Sequence, residues 1–531
     1  MDSFEKLKVL DDYHTLQFVW ARGITSRPIP LIMIYEVKYD PSGVVDKYKA
    51  RCCVQGHSAH MKFGEHYWQT YSASPKMETS RILQCLVLLK GYSRFAFDIC
   101  MALLHADCRL NEVIVVRYPK GLIQYDDEGN ELMAILRKNT YGMPQASRRY
   151  CQMRDHFILD FFNKAGWGCK QCVQDPSLFI IIDLRGGRIY LLIHTDDCDM
   201  VGDNLDQMKL VAKAFHEEYE IKICPPNFML GVSRELSSCG NFMEFTQIGY
   251  VEALYEQFSG FIKSRLVPTC PFPPLKILSL AKQEYSEKES RAVLKDDYLG
   301  LVGSLLWAAR NCFPECSSGV NQLGRVVSRP TREAFDAGIK MVQYLFAQRH
   351  RGIRFCKLGN QILRFYYDSS NNEDGTDSMA QHGHVGLWMG GPITWLSTKH
   401  KHVGLSASHN EYMALGICCR NVVWLRYLFE EMQIFSAIEG ATIVQGDNDT
   451  VTLLSRENMV TLGNRFIRKE YHFSKECVDD GFVSTREVRS IGNYSDLMTK
   501  PSTKQEVLAL RPHLTGYSAV PLPEAPEPPK D

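Results

Sequence analysis

Short apolar runs broken by glycine and proline alternate with stretches of helical spacing from Pro28 to about Phe261, as in an α/β or α+β unit. Within it, Ile189 to Ile193 reads as a strand, Asp196-Asp197 follows at once, and a second apolar run leads to Gly202. This spacing predicts a hairpin whose tip carries two adjacent carboxylates. Residues 298 to 357 are largely helical by pattern, and a second mixed unit runs from about Gln361 to Pro501. There, Gln361 to Tyr367 predicts a strand ending at Asp368, and Ala441 to Gln445 another leading into Gly446-Asp447-Asn448. Between them Leu415, Cys418, Val422, Leu425 and Phe429 step by three and four. That predicts a long helix with Glu411 on the same inward face, in the first turn. Residues 1–25 lack clear periodicity and read as a tail. The polar stretch from about Lys276 to Asp297 reads as a linker, and the Pro- and Glu-rich end as disordered.

Composition narrows the class. The 531 residues, 45% hydrophobic and 23% charged, exclude a disordered or collagen-like chain and suffice for more than one core. No apolar run approaches the roughly 18 to 20 residues that span a bilayer, and the first residues lack the pattern of a signal peptide. An intracellular, non-membrane protein is expected. The 18 cysteines then read as reduced thiols, and Cys169 and Cys172 lack the further ligands that a structural zinc needs. With 61 basic and 61 acidic residues, the total charge shows no general affinity for nucleic acid. Basic residues do cluster locally, as at Arg148, Arg149 and Arg154. Neither Gly-rich phosphate-loop motif is present, which argues against a nucleotide-binding metabolic enzyme.

The acids carry the candidate chemistry. Asp98 sits inside the apolar stretch FAFDICMALL, where an unpaired carboxylate is strongly destabilising. If its strand lay beside the Asp196-Asp197 hairpin, three carboxylates would converge, an arrangement that divalent cations relieve and two-metal phosphoryl transfer uses. Spacing equally allows Asp98 bonded to a backbone turn and the pair in a surface hairpin. In the second mixed unit Asp368, Glu411, Asp447 and Asp496 stand at strand ends and helix starts. Ser408-x-x-Glu411 also fits a capping box, and Asp496 an ordinary first-turn acid. Together the four suggest a second, nuclease-like metal site.

These residues occur in a recognisable order. The stretches YKARCCVQGH (48–57), FDICMALLHA (97–106), TYGMPQASRRY (140–150), HTDDCDMVG (194–202), SASHNEYMAL (406–415) and SDLMTKP (495–501) are among those that carry a likeness. The chain resembles the reverse transcriptase and ribonuclease H part of the Pol polyprotein of copia-type LTR retrotransposons, over about residues 30 to 510. The resemblance implies an α+β and α/β multidomain protein. Residues 26–265 would be a right-hand polymerase of fingers and palm, and residues 266–360 a linker and helical thumb or connection. A ribonuclease H-like mixed sheet would follow at 361–505, between the 1–25 tail and a disordered 506–531.

It further implies that Asp98, Asp196 and Asp197 are the polymerase carboxylates, the first two being the main Mg²⁺ ligands. Lys49 or Arg51 would face the triphosphate, Gln145 the incoming nucleotide, and Leu103 would stand where the family usually has a Phe against the 2′ position. Asp368, Glu411, Asp447 and Asp496 fall on the four ribonuclease H acids. Two Mg²⁺ ions per site, replaceable by Mn²⁺, are the implied cofactors. RNA template, DNA primer, RNA–DNA hybrid and dNTPs are the implied partners, with the element's own integrase and capsid, in a cytoplasmic virus-like particle or the nucleus. His194, Phe466 and Arg468 depart from the family's usual Tyr, His and Asp. An alternative reading is therefore a catalytically degenerate remnant that only binds nucleic acid.

Overall fold

The computed structural model describes residues 2–11, 14–21, 27–39, 45–109, 113–263, 266–272, 287–370, 379–456 and 472–518. The chain divides into two compact units.

The first unit takes residues 1–76 and 93–226 and holds two sheets. One has the order β1-β6-β5-β2-β3, from His14–Thr15 (β1), Ile29–Tyr39 (β2), Val45–Val54 (β3), Val115–Arg117 (β5) and Leu132–Ile135 (β6). The other has the order β11-β4-β10-β9-β8-β7. It is built from Ser93–Ile99 (β4), Gly168–Gln171 (β7), Leu178–Ile182 (β8), Arg188–His194 (β9), Asp197–Gly202 (β10) and Ile221–Cys224 (β11). The six-stranded sheet shares a core with the helices Ala146–Lys164 and Leu205–Glu218, through Tyr150, Ile158, Phe162, Met208, Phe215, Phe97, Phe179 and Leu191. Asn204 caps the second helix, accepting from the backbone N–H groups of Asp206 and Gln207.

The expected 1–25 tail is corrected here. Phe4, Val9 and Val19 are buried, β1 pairs antiparallel with β6, and Phe4 and Val9 pack in the core of the five-stranded sheet. Their burial is not periodic because it is spread over two short helices, Asp2–Lys6 with Phe4 and Leu16–Ala21 with Val19, and over the connection between them that holds Val9.

The second unit takes residues 77–92 and 227–531. A four-stranded sheet of order β12-β13-β14-β15 uses Phe228–Met229 (β12), Val232–Leu236 (β13), Phe242–Thr246 (β14) and Ile353–Cys356 (β15). Between β14 and β15 lie helices that include Tyr298–Asn311, Ser317–Arg325 and Arg332–Gln348. A five-stranded sheet of order β18-β17-β16-β19-β20 uses Arg364–Ser370 (β16), Gln381–Trp388 (β17), Gly391–Lys399 (β18), Thr442–Gly446 (β19) and Val483–Glu487 (β20). Its first three strands are antiparallel, whereas β16, β19 and β20 run parallel. The helix Ala407–Glu431 connects β18 to β19, and the five apolar positions read from its sequence are all buried.

Two boundaries differ from expectation. Part of the polar 276–297 stretch, Glu287–Lys295, is an amphipathic helix that buries Ser290 and Val293. The expected disordered end at 506–531 is ordered through residue 518. Lys504–Leu514 is a helix with a Thr503–Glu506 capping box, and it buries Val507, Leu510 and Leu514 at helical spacing.

Helix Met77–Lys90 precedes β4 in the chain but packs within the second unit. Its buried Arg81 donates to the carbonyls of Ile393, Arg310 and Asn311 and stacks 4.0 Å from the Trp395 ring.

Candidate active sites

In the first unit β9 and β10 form the expected hairpin, with His194 opposite Asp197 across a two-residue loop of Thr195 and Asp196. On its other side β10 pairs with β4, in a register that sets Asp197 directly opposite Asp98. Lys222 of β11 stands opposite Asp98 in turn, so Lys222, Asp98, Asp197 and His194 form one row across the sheet. The backbone N–H of Ile99 donates to Asp196 O at 3.0 Å, tying the loop to the Asp98 strand. Directly opposed residues in an antiparallel pair project to the same face, with Cα atoms roughly 4.5 to 5.5 Å apart. Asp98 and Asp197 are therefore neighbours on that face.

Their charges crowd one another. Burial raises the Asp98 carboxyl above the usual range, and Asp196 and Asp197 raise it further, against Lys49 and Lys222. Asp197 is raised by desolvation and then by Asp196. Lys49 thus acts electrostatically on Asp98, while Arg51 pairs with Glu36 at 3.1 Å. Leu103 follows the left-handed Met101 and packs, partly buried, against the cores of both sheets. Gln145 is fully buried at the start of the Ala146–Lys164 helix, its Nε2 3.4 Å from His66 O and its Oε1 without a partner. As placed here, Gln145 offers no surface to a ligand.

In the second unit, carboxylate oxygens of Asp368, Glu411 and Asp447 all lie within 4.8 Å of one another. Among the described residues this is the one trio of potential metal ligands so close; Asp98, Asp196 and Asp197 do not gather as tightly. Asp368 is an interior residue of β16, not its end, and Asp447 directly follows β19, the parallel neighbour of β16. Asp496 opens the short Asp496–Thr499 helix and acts electrostatically on the same group.

Glu411 makes no capping box. The N-cap is Ser406, whose side chain accepts from His409 N, and Glu411 lies in the second turn. Its Oε1 instead accepts from Ser369 N at 3.0 Å, beside Asp368. Burial pushes the Glu411 carboxyl up to about 10, aided by Asp368 and Asp447. Asp496 is pushed up to about 7 by burial and Asp368, against the Lys500 ammonium 2.8 Å away. Asp447 is raised by burial and Asp368.

The donor set fits a divalent cation. Glu411 Oε2 and Asp496 Oδ1 are buried without hydrogen-bond partners. Carboxylates that burial and mutual repulsion make costly to ionise are stabilised in their ionised form by a hard cation with oxygen ligands, which takes the place of the proton. The sequence reading missed the supporting residues. Thr499 Oγ1 donates to Asp368 Oδ2. Gly383, opposite Asp368 in β17, leaves room for the Asp496–Thr499 helix, because a Cβ there would lie 2.5 Å from Met498 Cβ. Only Lys500, four residues after Asp496, had a sequence signal, the helical spacing of an ion pair. Phe466 and Arg468 lie outside the described residues.

Residues 15–264 match the reverse transcriptase (RNA-dependent DNA polymerase) family. These residues include the hairpin and all three acids of the first group, and they form a reverse transcriptase domain. The chain as a whole is related to the Pol polyproteins of copia-type retrotransposons. It is 25% identical over 91% of its length to the retrovirus-related Pol polyprotein from transposon TNT 1-94 of Nicotiana tabacum. It is 27% identical over 89% of its length to that from transposon RE1 of Arabidopsis thaliana, and 25% identical over 89% to that from transposon RE2 of the same plant. The chain covers 35%, 30% and 31% of these three relatives, about a third of each.

Proposed function

We propose that the chain is an RNA-directed DNA polymerase with a ribonuclease H that degrades RNA in RNA–DNA hybrids, both acting by two-metal phosphoryl transfer. Residues 26–265 would supply fingers and palm, 266–360 the connection, and 361–505 the ribonuclease H-like part. The observation that carries the reading is the register of Asp98 against Asp197, at the hairpin loop of a domain matched to reverse transcriptases.

Asp98, Asp196 and Asp197 would hold Mg²⁺ or Mn²⁺ in the polymerase, and Asp368, Glu411, Asp447 and Asp496 in the nuclease. Bound ions would lower the pKa of the attacking hydroxyl or water and neutralise charge on the leaving oxygen. Lys49 and Lys222 add positive charge beside Asp98, where a triphosphate would be drawn in. Ser369 N and Thr499 Oγ1 each hold one oxygen of the Glu411 and Asp368 carboxylates, which fixes both side chains beside each other. The nuclease part would tell RNA from DNA by the 2′-hydroxyl.

Primer extension on an RNA template with Mg²⁺ tests the polymerase. Asp196→Asn is expected to lower the rate about a hundredfold or more, roughly 3 kcal/mol of transition-state stabilisation. A second reading, a remnant that binds nucleic acid without turnover, is favoured by the complete burial of Gln145. Hybrid binding by a folded chain that extends no primer would establish it.

A further inference from the structure

The carboxylate hairpin turns through an unusual residue. Thr195, first of the two loop residues, has φ of +55°. A β-branched side chain rarely adopts that region, which hairpin loops normally give to Gly, Asn or Asp. Such a conformation persists only where its surroundings hold it.

One side chain does so. Arg154, on the Ala146–Lys164 helix and 2% exposed, donates from Nη1 to Thr195 O at 3.1 Å. Its Nε and Nη2 donate to Asp155 Oδ1 at 3.0 and 2.6 Å. Asp155 Oδ2 accepts from Gln171 Nε2 at 3.2 Å, and the same Nε2 also reaches Pro176 O at 2.6 Å. The guanidinium therefore has one edge fixed by a carboxylate that is itself anchored, and its remaining arm aimed at the loop. The next carbonyl, Asp196 O, accepts from Ile99 N. Both loop peptides are thus pinned, one by the helix and one by the strand that carries Asp98.

We propose that Arg154 is a positioning residue for the polymerase. By holding Thr195 O it fixes the loop so that Asp196 projects, and Asp197 stands level with Asp98, in the geometry that binds the metal ions. The inference rests on the polymerase reading of this site. An ordinary buried ion pair would stabilise the fold without this reach. Lysine replaces Arg154 only in part, because one ammonium lacks the planar fork that serves Asp155 and Thr195 together.

The test uses the full chain carrying Asp368→Asn and Glu411→Gln, which removes two of the three close ligands of the second acid group, with Arg154→Met, Arg154→Lys and Arg154→Met/Thr195→Gly. Mn²⁺ binding is measured by electron paramagnetic resonance, primer extension by kcat and by KM for dNTP, and folding by circular dichroism. Arg154→Met is expected to weaken Mn²⁺ binding about tenfold and to lower kcat by 10- to 100-fold at nearly constant KM, approximately the loss that misplacement by about 1 Å causes. Arg154→Lys is expected to fall between. Glycine at 195 adopts positive φ without external support, so the double variant should recover most of both losses. Unchanged Mn²⁺ affinity in a folded Arg154→Met, or no recovery with Thr195→Gly, overturns the proposal. Failure of the parent to extend primers while it binds Mn²⁺ overturns the polymerase reading instead, and the positioning role is then decided by the binding series. A parent that neither binds Mn²⁺ nor extends primers overturns both.

Discussion

Glu411, pushed up to about 10, and Asp496, pushed up to about 7, hold protons in the folded chain at pH values where the unfolded chain has released them. For such raised groups the stability contribution is complete below the ordinary carboxylate range and declines as pH rises, through about 7 for Asp496 and about 10 for Glu411. Without metal, the melting temperature of the second unit should therefore fall as pH is raised above the ordinary carboxylate range. Divalent cations need the ionised form, so their affinity rises with pH and binding releases protons. Calorimetric Mg²⁺ titration in two buffers of different ionisation enthalpy should register that release between about pH 6 and 8. Pure heat of binding with no buffer dependence would contradict it. Glu411→Gln should stop hybrid cleavage and leave primer extension intact. It should also raise the metal-free melting temperature at pH 8 by several degrees, on the order of 1 to 2 kcal/mol, because a group that is costly to ionise is gone.

At the scale of elements, the second acid group depends on how closely a four-residue helix approaches a strand. Gly383 faces Asp368 across β16 and β17, and a methyl group there would meet Met498 Cβ at 2.5 Å and Thr499 Cγ2 at 2.7 Å. Gly383→Ala should therefore displace the helix that brings Asp496 and the Thr499 hydroxyl to Asp368. Overpacking of this kind costs about 1 to 3 kcal/mol, read as a lower midpoint in urea, and the loss of hybrid cleavage should exceed what that destabilisation alone explains. A variant as active as the parent would show that the helix tolerates the shift. The N-terminal segment invites a similar check. Phe4→Ala should cost about 3 to 5 kcal/mol, the range for emptying a buried aromatic site, whereas a true tail would lose nothing.

The whole molecule does not divide where its sequence suggests. The helix Met77–Lys90 is flanked by residues of the first unit yet belongs to the second, through a buried guanidinium that satisfies three carbonyls. Arg81→Ala would leave those acceptors unpaired and remove the stacking on Trp395, at a cost of about 3 kcal/mol or more. A fragment of residues 266–518 lacks this helix and three strands of the four-stranded sheet, β12, β13 and β14, and should fail to unfold cooperatively in denaturant. Cooperative unfolding of that fragment would show that the helix is dispensable. Among the described residues no helix is long and apolar enough to cross a membrane.

Much of the fold was legible in local pattern. The 189–202 hairpin and the strand before Asp447 follow from short continuous apolar runs, and the inward stripe Leu415 to Phe429 from the period of 3.6; such signals act over a few residues and need no distant partner. The acids themselves were visible as charges in apolar surroundings. What no local pattern could supply is who stands beside whom. The level pairing of Asp98 with Asp197 depends on strand register, and the gathering of Asp368, Glu411 and Asp447 on a parallel crossover of some 70 residues. Likewise Arg154 reaches Thr195 across 41 positions, and Arg81 reaches Ile393 across 312. Such contacts follow from the packing of whole elements. The kinds of groups were therefore determined by the sequence alone, and only the tertiary structure decided their distances.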